Sequence, residues 1–294
     1  MVWLIGNKGM LGSEVFNVLT ASKIKFFYSD AELDITDSKL LADVTKHEKI
    51  DWIVNCAGYT DIDLAEQEEG KALSVNGHAL QNIINIAKVK DAKIIHISSE
   101  LVFDGKKFTG YSETDEPNPI NKYGYSKLVG EQVLIQNYHR YIILRTSWLY
   151  GKNGVNFIHT MLKLYGSGST VSIVDDQTGS PTYAVDVAKV IGFLISNHAD
   201  KYGIYHCSNT GLTDWFSYAK AIFERSLLYG ILPAWIQTKT KIVPITSKEY
   251  TSAAKRPQNS YLLSNKLRVD YKINMRPWEE SLDAFFKSIS KKKV

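Results

Sequence analysis

Tyr123 and Lys127, four residues apart, could together deliver a proton to a carbonyl oxygen. On a helix this spacing places both side chains on one face. A free tyrosine has a pKa of about 10, too high for efficient exchange near neutrality, and a neighbouring ammonium would favour the phenolate and lower that pKa. The pair therefore suggests a general acid for ketone reduction, in which hydride reaches the carbonyl carbon while the phenol protonates the oxygen.

A serine upstream of this pair fits the same chemistry. Ser99 follows Lys93–Ile97, an apolar segment that is typical of a buried strand. A hydroxyl at the carboxyl end of such a strand could bind the carbonyl oxygen that the phenol protonates. Tyr125 is the rival for the phenol role, but a valine, Val129, stands four residues after it. The predicted catalytic set is therefore Ser99, Tyr123 and Lys127.

A glycine-rich turn indicates where a cofactor would bind. Gly6, Gly9 and Gly12 follow the first apolar segment and open a helical pattern. Glycine permits a tight turn and a close backbone approach to a pyrophosphate, and a helix N-terminus supplies free N–H groups. The last glycine lets the helix pack closely on the strand. The context predicts a dinucleotide site, although the spacing differs from the G-x-G-x-x-G of many dehydrogenases.

The choice between NADPH and NADH is open at this stage. Asp30 follows the second predicted strand, where a carboxylate would accept hydrogen bonds from the adenosine ribose and repel a 2′-phosphate. Lys8, inside the glycine turn, could offset such a phosphate. An ordinary turn residue is the other interpretation of Asp30.

Short apolar segments alternate with helical patterns through the first half of the chain. This alternation is typical of a parallel sheet covered on both faces, and right-handed crossovers make it a doubly wound, Rossmann-type α/β fold. We predict a nucleotide-binding domain over residues 1–150. Residues 151–294 are expected to form mainly a smaller substrate-binding lobe, with some segments returning to the first domain. The predicted strands are Val2–Ile5, Lys25–Tyr28, Trp52–Asn55, Lys93–Ile97 and Tyr141–Leu144, and the predicted helices are Leu11–Leu19, Asp37–Glu48, Glu66–Lys88, Tyr125–Ile135, Asp186–Ser196, Trp215–Tyr229 and Glu279–Ile289.

Composition excludes several other classes of protein. The 294 residues are 44% hydrophobic and 22% charged, which argues against a disordered or fibrous chain. A net charge of +4 is too small for the basic surface of a nucleic-acid binder, and the lysine-rich end, Ser290–Lys293, is expected to be solvated. No apolar run approaches a membrane span or a signal segment. Two distant cysteines, Cys56 and Cys207, are expected to be reduced, which favours the cytoplasm.

The chain resembles the extended short-chain dehydrogenase/reductases in its glycine turn and in Ser99, Tyr123 and Lys127. More narrowly, it resembles the dTDP-4-dehydrorhamnose reductases, which form dTDP-L-rhamnose. The segments that carry the narrower resemblance span nearly the whole chain: 34–37 (DITD), 55–63 (NCAGYTDID), 98–105 (SSELVFDG), 145–151 (RTSWLYG), 176–182 (DQTGSPT) and 255–257 (KRP). The RTSWLYG and DQTGSPT segments are far more specific than a Tyr–Lys spacing.

The resemblance implies a set of roles. Tyr123 would be the proton donor and Lys127 its electrostatic partner, which also holds the nicotinamide ribose. Ser99 and Glu100 would meet the sugar, Trp148 would pack on it or serve only as a core aromatic, and Arg256 would engage the nucleotide diphosphate or lie at the surface. The implied cofactor-binding residues, besides Tyr123, Lys127, Lys8 and Asp30, are Gly6, Gly9, Met10, Leu11, Gly12, Asp34, Ile35, Gly58, Tyr59 and Thr60.

The chain also departs from the family pattern. Ser99, Glu100 and Leu101 stand where the family usually has Thr, Asp and Tyr, and Leu64 stands where it often has Lys. These changes leave the hydride chemistry intact but leave the identity of the sugar open. Some members bind a metal through an acid near the last glycine, where Glu14 is a weak candidate, so Mg²⁺ is possible in principle but no metal site is assigned.

Two other functions remain as alternatives. A nucleotide-sugar dehydratase or epimerase could use the same scaffold, but dehydratases that resemble this chain carry two adjacent acids where it has Glu100 and Leu101. A non-catalytic, nucleotide-binding regulatory subunit would not need Ser99, Tyr123 and Lys127. A homodimer is expected only because closed symmetric dimers are common.

Overall fold

The computed structural model describes residues 1–290. The lysine-rich end, for which the sequence predicts a solvated tail, lies outside the described residues beyond Ser290. Within residues 1–290, no helix is both long enough and apolar enough to cross a membrane.

Twelve strands and ten α-helices make up the described chain. The strands are β1 (Val2–Ile5), β2 (Phe26–Ser29), β3 (Trp52–Asn55), β4 (Lys93–Ser99), β5 (Tyr141–Thr146), β6 (Leu149–Tyr150), β7 (Thr170–Val174), β8 (Thr178–Gly179), β9 (Thr182–Tyr183), β10 (Gly203–His206), β11 (Thr213–Asp214) and β12 (Lys241–Ile245). The helices are α1 (Met10–Ala21), α2 (Ser38–Thr45), α3 (Glu69–Ala72), α4 (Leu80–Lys90), α5 (Lys122–Asn137), α6 (Phe157–Gly166), α7 (Ala184–Ser196), α8 (Trp215–Leu228), α9 (Asn265–Tyr271) and α10 (Trp278–Ile289).

Six of the strands form one parallel sheet in the order β10-β5-β4-β3-β1-β2. The order of connection reverses at β1, which lies between β2 and β3. Ligands of doubly wound folds bind beyond the carboxyl ends of the strands at such a reversal. The glycine turn after β1 and the loop after β3 border this crevice. The parallel sheet with helices on both faces confirms the predicted α/β class.

Apolar helices cover both faces of the sheet. Leu11, Val15 and Leu19 of α1 pack with α7 in one core, which also contains strand side chains such as Ile95. The opposite core is formed by α2, α4 and α5 against side chains that alternate with the first set, such as Ile94. The central strands are buried on both faces, which explains their near-continuous apolar sequences. The edge strand β2 is more exposed, with Tyr28 53% exposed.

The C-terminal half contributes to both parts of the molecule. A separate apolar core contains buried side chains of α6, α8 and α10, together with β7, which pairs in parallel with β12. In contrast, β10 pairs with β5 in the main sheet, and α7 packs on α1. The residues beyond 150 therefore do not lie in a single lobe. Neither β10 nor the helices α6 and α9 was predicted from the sequence.

One predicted helix is wrong in form. The segment predicted as a single helix, Glu66–Lys88, contains the end of a 3₁₀ turn, the short α3, a π-helical segment at Leu73–His78 and then α4. The π-helical segment lies very close to α5: a Cβ on Gly130 of α5 would lie 2.1 Å from the Asn76 carbonyl oxygen. The π-helical segment thus packs backbone to backbone on α5, a contact that helical periodicity does not reveal.

Candidate active site

Helix α5 places the predicted Tyr–Lys pair beside the end of β4. Asn121 caps the helix by accepting a hydrogen bond from the Gly124 backbone N–H at 2.7 Å. A Cβ on Gly124 would lie 2.0 Å from the Leu101 carbonyl oxygen, so only glycine permits this approach of helix and loop. Tyr123 and Lys127 therefore meet the segment that carries Ser99.

Ser99 and Glu100 form a buried hydrogen-bonded pair where β4 ends. The Ser99 hydroxyl donates to Glu100 Oε2 at 2.6 Å and accepts from the Leu101 backbone N–H at 3.2 Å. Burial raises the pKa of Glu100 to about 7, although its hydrogen bonds from Ser99 and from the Trp148 backbone oppose the shift. Glu100 therefore titrates near neutrality, close to the proposed proton donor.

The Tyr123 phenol differs from the sequence-based expectation. Burial raises the pKa of Tyr123 well above its usual value, the Glu100 carboxylate raises it further, and the hydrogen bond with Ser99 lowers it. The expected lowering of this pKa by Lys127 is therefore not found, because burial dominates and Lys127 is not among the groups that shift it. The phenol remains protonated at neutral pH, which is the form that a proton donor requires.

Lys127 faces the cofactor side of the site rather than the phenol. Its Nζ donates a hydrogen bond to the Ile97 carbonyl at 2.6 Å, and it lies 4.0 Å from the position that a Cβ on Gly58 would occupy. Burial lowers the pKa of Lys127 to about 8, partly offset by the Glu131 carboxylate. The ammonium is thus charged at neutral pH and lies against the loop after β3.

The glycine turn has the shape that a pyrophosphate needs. Gly6 has a φ of +80°, and a Cβ on Gly12 would lie 1.8 Å from the Gly6 carbonyl oxygen, so side chains are excluded at both positions. Among the described residues, no side chain caps the N-terminus of α1 at Gly9. Met10 and Leu11 open this helix, and its exposed backbone N–H groups fit a phosphate group of a dinucleotide.

Two acids and one lysine form the corner beside this turn. Asp30 accepts hydrogen bonds from the backbone N–H of Lys8 at 2.6 Å and of Ala31 at 2.8 Å. Lys8 Nζ forms an exposed ion pair with Glu32 at 3.0 Å. The lysine that could offset a 2′-phosphate is therefore already paired with an acid that the sequence analysis did not consider.

The remaining predicted cofactor residues lie in two loops. Asp34 accepts hydrogen bonds from the backbone and side chain of Thr36, both at 2.8 Å, and Ile35 is buried in the core. Gly58, Tyr59 and Thr60 follow β3 at the crevice.

Asn76 was missed by the sequence analysis. Its amide accepts from the Tyr59 N–H and donates to the Tyr59 carbonyl and to Ser126 Oγ, each at 2.9 Å. Ser126 in turn donates to the Tyr123 carbonyl at 2.7 Å. Asn76 therefore connects the loop after β3 to α5, and a buried asparagine within a helical pattern carries no signal for this role.

Trp148, at the end of the RTSW segment, is held by a stacked ring and a hydrogen bond. Its φ of +43° is unusual for a large side chain, and its ring stacks on Trp215 with centroids 3.5 Å apart. The indole N–H donates to Ser260 Oγ at 2.9 Å. Trp215 covers one face of the ring, and Gly179 also packs against the indole, since a Cβ on Gly179 would lie 2.5 Å from Trp148 Cε2.

Arg256 joins the two parts of the molecule. Arg256 Nη2 donates to Asp63 Oδ2 at 2.9 Å. The carbonyl of Lys255, the residue before Arg256, accepts a hydrogen bond from Asn121 Nδ2 at 2.9 Å. A cavity of about 450 Å³ adjoins this contact. It is lined by Asp104, Gly105, Lys106, Ile120, Lys255, Arg256 and Gln258. Arg256 is therefore not a free surface residue, because its guanidinium is paired with Asp63.

Glu14 does not lie in a cluster of metal ligands. It is buried on α1 and accepts a hydrogen bond from Asn17 Nδ2 at 3.3 Å. In residues 1–290, no group of three or more His, Cys, Asp or Glu side chains could hold a metal ion. Both cysteines are free thiols.

A six-stranded Rossmann sheet with a Tyr–Lys helix beside the crevice defines an oxidoreductase of the extended short-chain dehydrogenase/reductase class. The family model described as the RmlD substrate binding domain matches residues 1–291. The chain belongs to the dTDP-4-dehydrorhamnose reductase family, and it is an NAD(P)-dependent oxidoreductase.

Individual relatives agree with this assignment. The chain is 36% identical over 256 residues to dTDP-4-dehydrorhamnose reductase from Aggregatibacter actinomycetemcomitans, covering 86% of each chain. It is 32% identical to a dTDP-4-keto-6-deoxy-D-glucose reductase from Streptomyces niveus, covering 97% of this chain and 96% of the relative. The crystal structure of dTDP-4-dehydrorhamnose reductase from Bacillus anthracis in complex with NADP superposes with a TM-score of 0.90, at 38% identity and 98% coverage of both chains.

Proposed function

We propose that the chain reduces the 4-keto group of dTDP-4-dehydro-6-deoxy-L-mannose (dTDP-4-dehydrorhamnose) to give dTDP-L-rhamnose, with NADPH or NADH as the reductant. The observation that carries this proposal is the meeting of Ser99, Tyr123 and Lys127 beside the glycine turn. A protonated phenol, a neighbouring hydroxyl and a buried ammonium at the crevice are the groups that ketone reduction requires.

Each of these residues has a defined task in the proposed reaction. The bound reduced nicotinamide supplies a hydride to C4 of the sugar. Ser99 would turn its hydroxyl from Glu100 to the O4 oxygen, and Tyr123 gives its proton to that oxygen as the alcohol forms. The phenolate that remains takes a proton from solvent. Lys127 holds the nicotinamide ribose, and the backbone N–H groups at Gly9, Met10 and Leu11 hold the pyrophosphate.

On the sugar side, Glu100, the free part of Trp148 and Arg256 are proposed to bind the nucleotide-linked substrate. Arg256 would have to exchange Asp63 for a phosphate, because it is paired in the structure. Leu101 is buried and contributes no acid. A dehydratase would need a second acid at this place, so the dehydratase alternative has no support from the side chains present.

The function is tested by absorbance at the reduced-nicotinamide band with purified protein, NADPH or NADH, and dTDP-4-dehydro-6-deoxy-L-mannose generated in situ. We expect stoichiometric loss of the band and formation of dTDP-L-rhamnose. A parallel assay with dTDP-4-keto-6-deoxy-D-glucose tests the substrate suggested by the name of the Streptomyces relative. Cofactor binding without consumption in either assay would contradict the proposal and favour a regulatory subunit.

The cofactor preference is proposed to depend on the acidic corner at Asp30 and Glu32. Replacing Glu32 with Gln should free Lys8 for a 2′-phosphate and lower the KM for NADPH about three- to fivefold relative to NADH, the size expected for an exposed ion pair. The two KM values are measured in the same assay. Glu280→Gln, a charge change on α10, serves as the control, and an unchanged ratio in Glu32→Gln would contradict this role for Lys8.

Glu100 is expected to shape the pH dependence of the reaction. Because burial raises its pKa to about 7, it ionises as pH rises through neutrality. The new negative charge opposes the charge that develops on the sugar oxygen, so kcat/KM should fall above about pH 7. Glu100→Gln should remove this ionisation from the profile. If kcat/KM of wild type does not change between pH 6 and 7.5, or if Glu100→Gln keeps the wild-type pH profile, Glu100 does not control the pH dependence.

The same shift affects stability with a defined sign. Below the ordinary pKa of 4.5, Glu100 is protonated in both the folded and the unfolded chain. Between about pH 4.5 and 7 the unfolded chain loses this proton while the folded chain keeps it, so stability is lost as pH rises. At pH 8 the free energy of unfolding of Glu100→Gln should therefore exceed that of wild type by about 1–3 kcal/mol, whereas at pH 4 the two proteins should be equally stable.

We further propose a cytoplasmic protein, because both thiols are free. A homodimer is proposed on the frequency of symmetric dimers alone, and light scattering of the purified protein tests it. Residues 1–290 contain no cluster of side chains that could hold a metal ion, so Mg²⁺ is given no role in the proposed reaction.

A further inference from the structure

Three charged side chains are buried together behind the candidate active site. Lys127 and Glu131 lie one turn apart on the same side of α5, with 5% and 1% of their surfaces exposed, and Arg145 of β5, also 1% exposed, lies beneath them. Burying a charge is costly unless it is paired and hydrogen-bonded. An apolar core would avoid this cost, so the three charges call for a function.

Arg145 fixes the Glu131 carboxylate through two parallel hydrogen bonds. Arg145 Nε donates to Oε1 at 2.8 Å, and Nη2 donates to Oε2 at 2.6 Å. The Phe103 ring covers the guanidinium, whose central carbon lies 5.0 Å from the ring centroid. Such a two-point contact holds the carboxylate both ionised and in one orientation.

Lys127 has no carboxylate in direct contact among the described residues. Its Nζ donates to the carbonyl of Ile97, which is the residue before the strand partner of Arg145 on β4. Lys127 and the Glu131–Arg145 pair therefore lie over the same two strands. Glu131 is close enough to favour the charged form of Lys127.

Two other titratable groups face Lys127, Cys56 after β3 and His96 on β4, and Tyr123 lies one turn before it on α5. Burial raises the pKa of Cys56 to about 12, lowers that of His96 well below its usual value, and raises that of Tyr123. All three are uncharged at neutral pH. Among the groups described around Lys127, Glu131 is thus the one that supplies negative charge.

We propose that Glu131, fixed by Arg145 one turn from Lys127 on the buried side of α5, is a positioning residue that keeps the Lys127 ammonium charged beside the cofactor loop. The proposal rests on the proposed function only in the role that it gives Lys127 towards the cofactor. It predicts that the pair acts on cofactor binding in a pH-dependent way, which a purely structural ion pair would not do.

The double variant Glu131→Gln/Arg145→Met tests this inference, because it removes both charges together and leaves no unpaired buried ion. Cofactor dissociation constants are measured by reduced-nicotinamide fluorescence from pH 6 to 9. Wild-type affinity should fall as pH rises through about 8. In the double variant the fall should start about one pH unit lower, so that binding is about fivefold weaker at pH 8 and within twofold at pH 6.

Three further variants complete the experiment. Glu131→Asp should restore most of the wild-type pH dependence, and Lys127→Met should show none between pH 6 and 9. Glu224→Gln, which removes an exposed carboxylate on α8, should match wild type. If the double variant does not fold, the single variant Glu131→Gln should show the same displacement or a larger one, since the Arg145 charge is then unpaired.

A folded double variant with the wild-type pH dependence would overturn the inference. So would a wild-type affinity that does not change between pH 6 and 9. Because the readout is cofactor binding without sugar, a failure of the proposed sugar reaction would appear separately, as bound cofactor that is not consumed.

Discussion

Replacing Tyr123 with phenylalanine is expected to lower kcat by about 10²–10⁴-fold, the usual contribution of a positioned general acid. The variant loses only the hydroxyl that protonates the sugar oxygen, while the ring, the Asn121 cap and the Ser126 contact of α5 remain. The dissociation constant of the reduced cofactor should therefore change by no more than a few fold. Steady-state turnover and fluorescence titration measure the two effects on the same preparation.

Tyr125→Phe is the matched control for this experiment. Tyr125 lies on the same helix, is 46% exposed and has no lysine one turn later. It should turn over at the wild-type rate. Normal turnover in Tyr123→Phe, or a comparable loss in Tyr125→Phe, would show that the proton donor has been wrongly assigned.

Lys127→Met is expected to weaken both cofactor binding and turnover. The buried ammonium is charged below about pH 8 and lies against Gly58, so its loss removes the cation that would hold the nicotinamide ribose. A hydrogen bond to a charged group contributes about 1.5–3 kcal/mol, which corresponds to a roughly 10- to 100-fold weaker cofactor. kcat should fall as well, because a displaced nicotinamide no longer meets the carbonyl carbon.

The pH–rate profile distinguishes this role from a merely structural one. Wild type should lose activity as pH rises through about 8, whereas Lys127→Met should lack that ionisation. Lys122→Met, on the same helix but paired with Glu69 at 3.0 Å near the surface, is the control. An unchanged profile in Lys127→Met would mean that the ammonium does not act in the reaction.

The local parts of the site could be predicted from the sequence. A glycine turn between strand and helix, a Tyr–Lys spacing of four and a hydroxyl after a buried strand are short-range patterns, and their meaning depends only on the elements on either side. For that reason the five predicted strands are all found in the main sheet, with Ser99 at the end of β4 and the glycine turn directly after β1.

Other features depend on contacts between distant segments. β10 reaches the main sheet from beyond residue 200, and its short, mixed composition gave no sign of this. The π-helical segment at Leu73–His78 packs closely on α5 because Gly77 and Gly130 leave room for it, and Asn76 of this segment hydrogen-bonds Tyr59. Helical periodicity describes one segment at a time and cannot report such a contact.

By itself, the sequence determined the class of fold, the type of chemistry and the candidate proton donor, because each depends on residue types at fixed local spacing. The tertiary structure alone decided the electrostatics. Burial, and not Lys127, sets the pKa of Tyr123. Ion pairs that join distant segments link Glu32 to Lys8, Asp63 to Arg256 and Arg145 to Glu131. Charge interactions depend on distance and on exclusion of water, and both are properties of the folded chain.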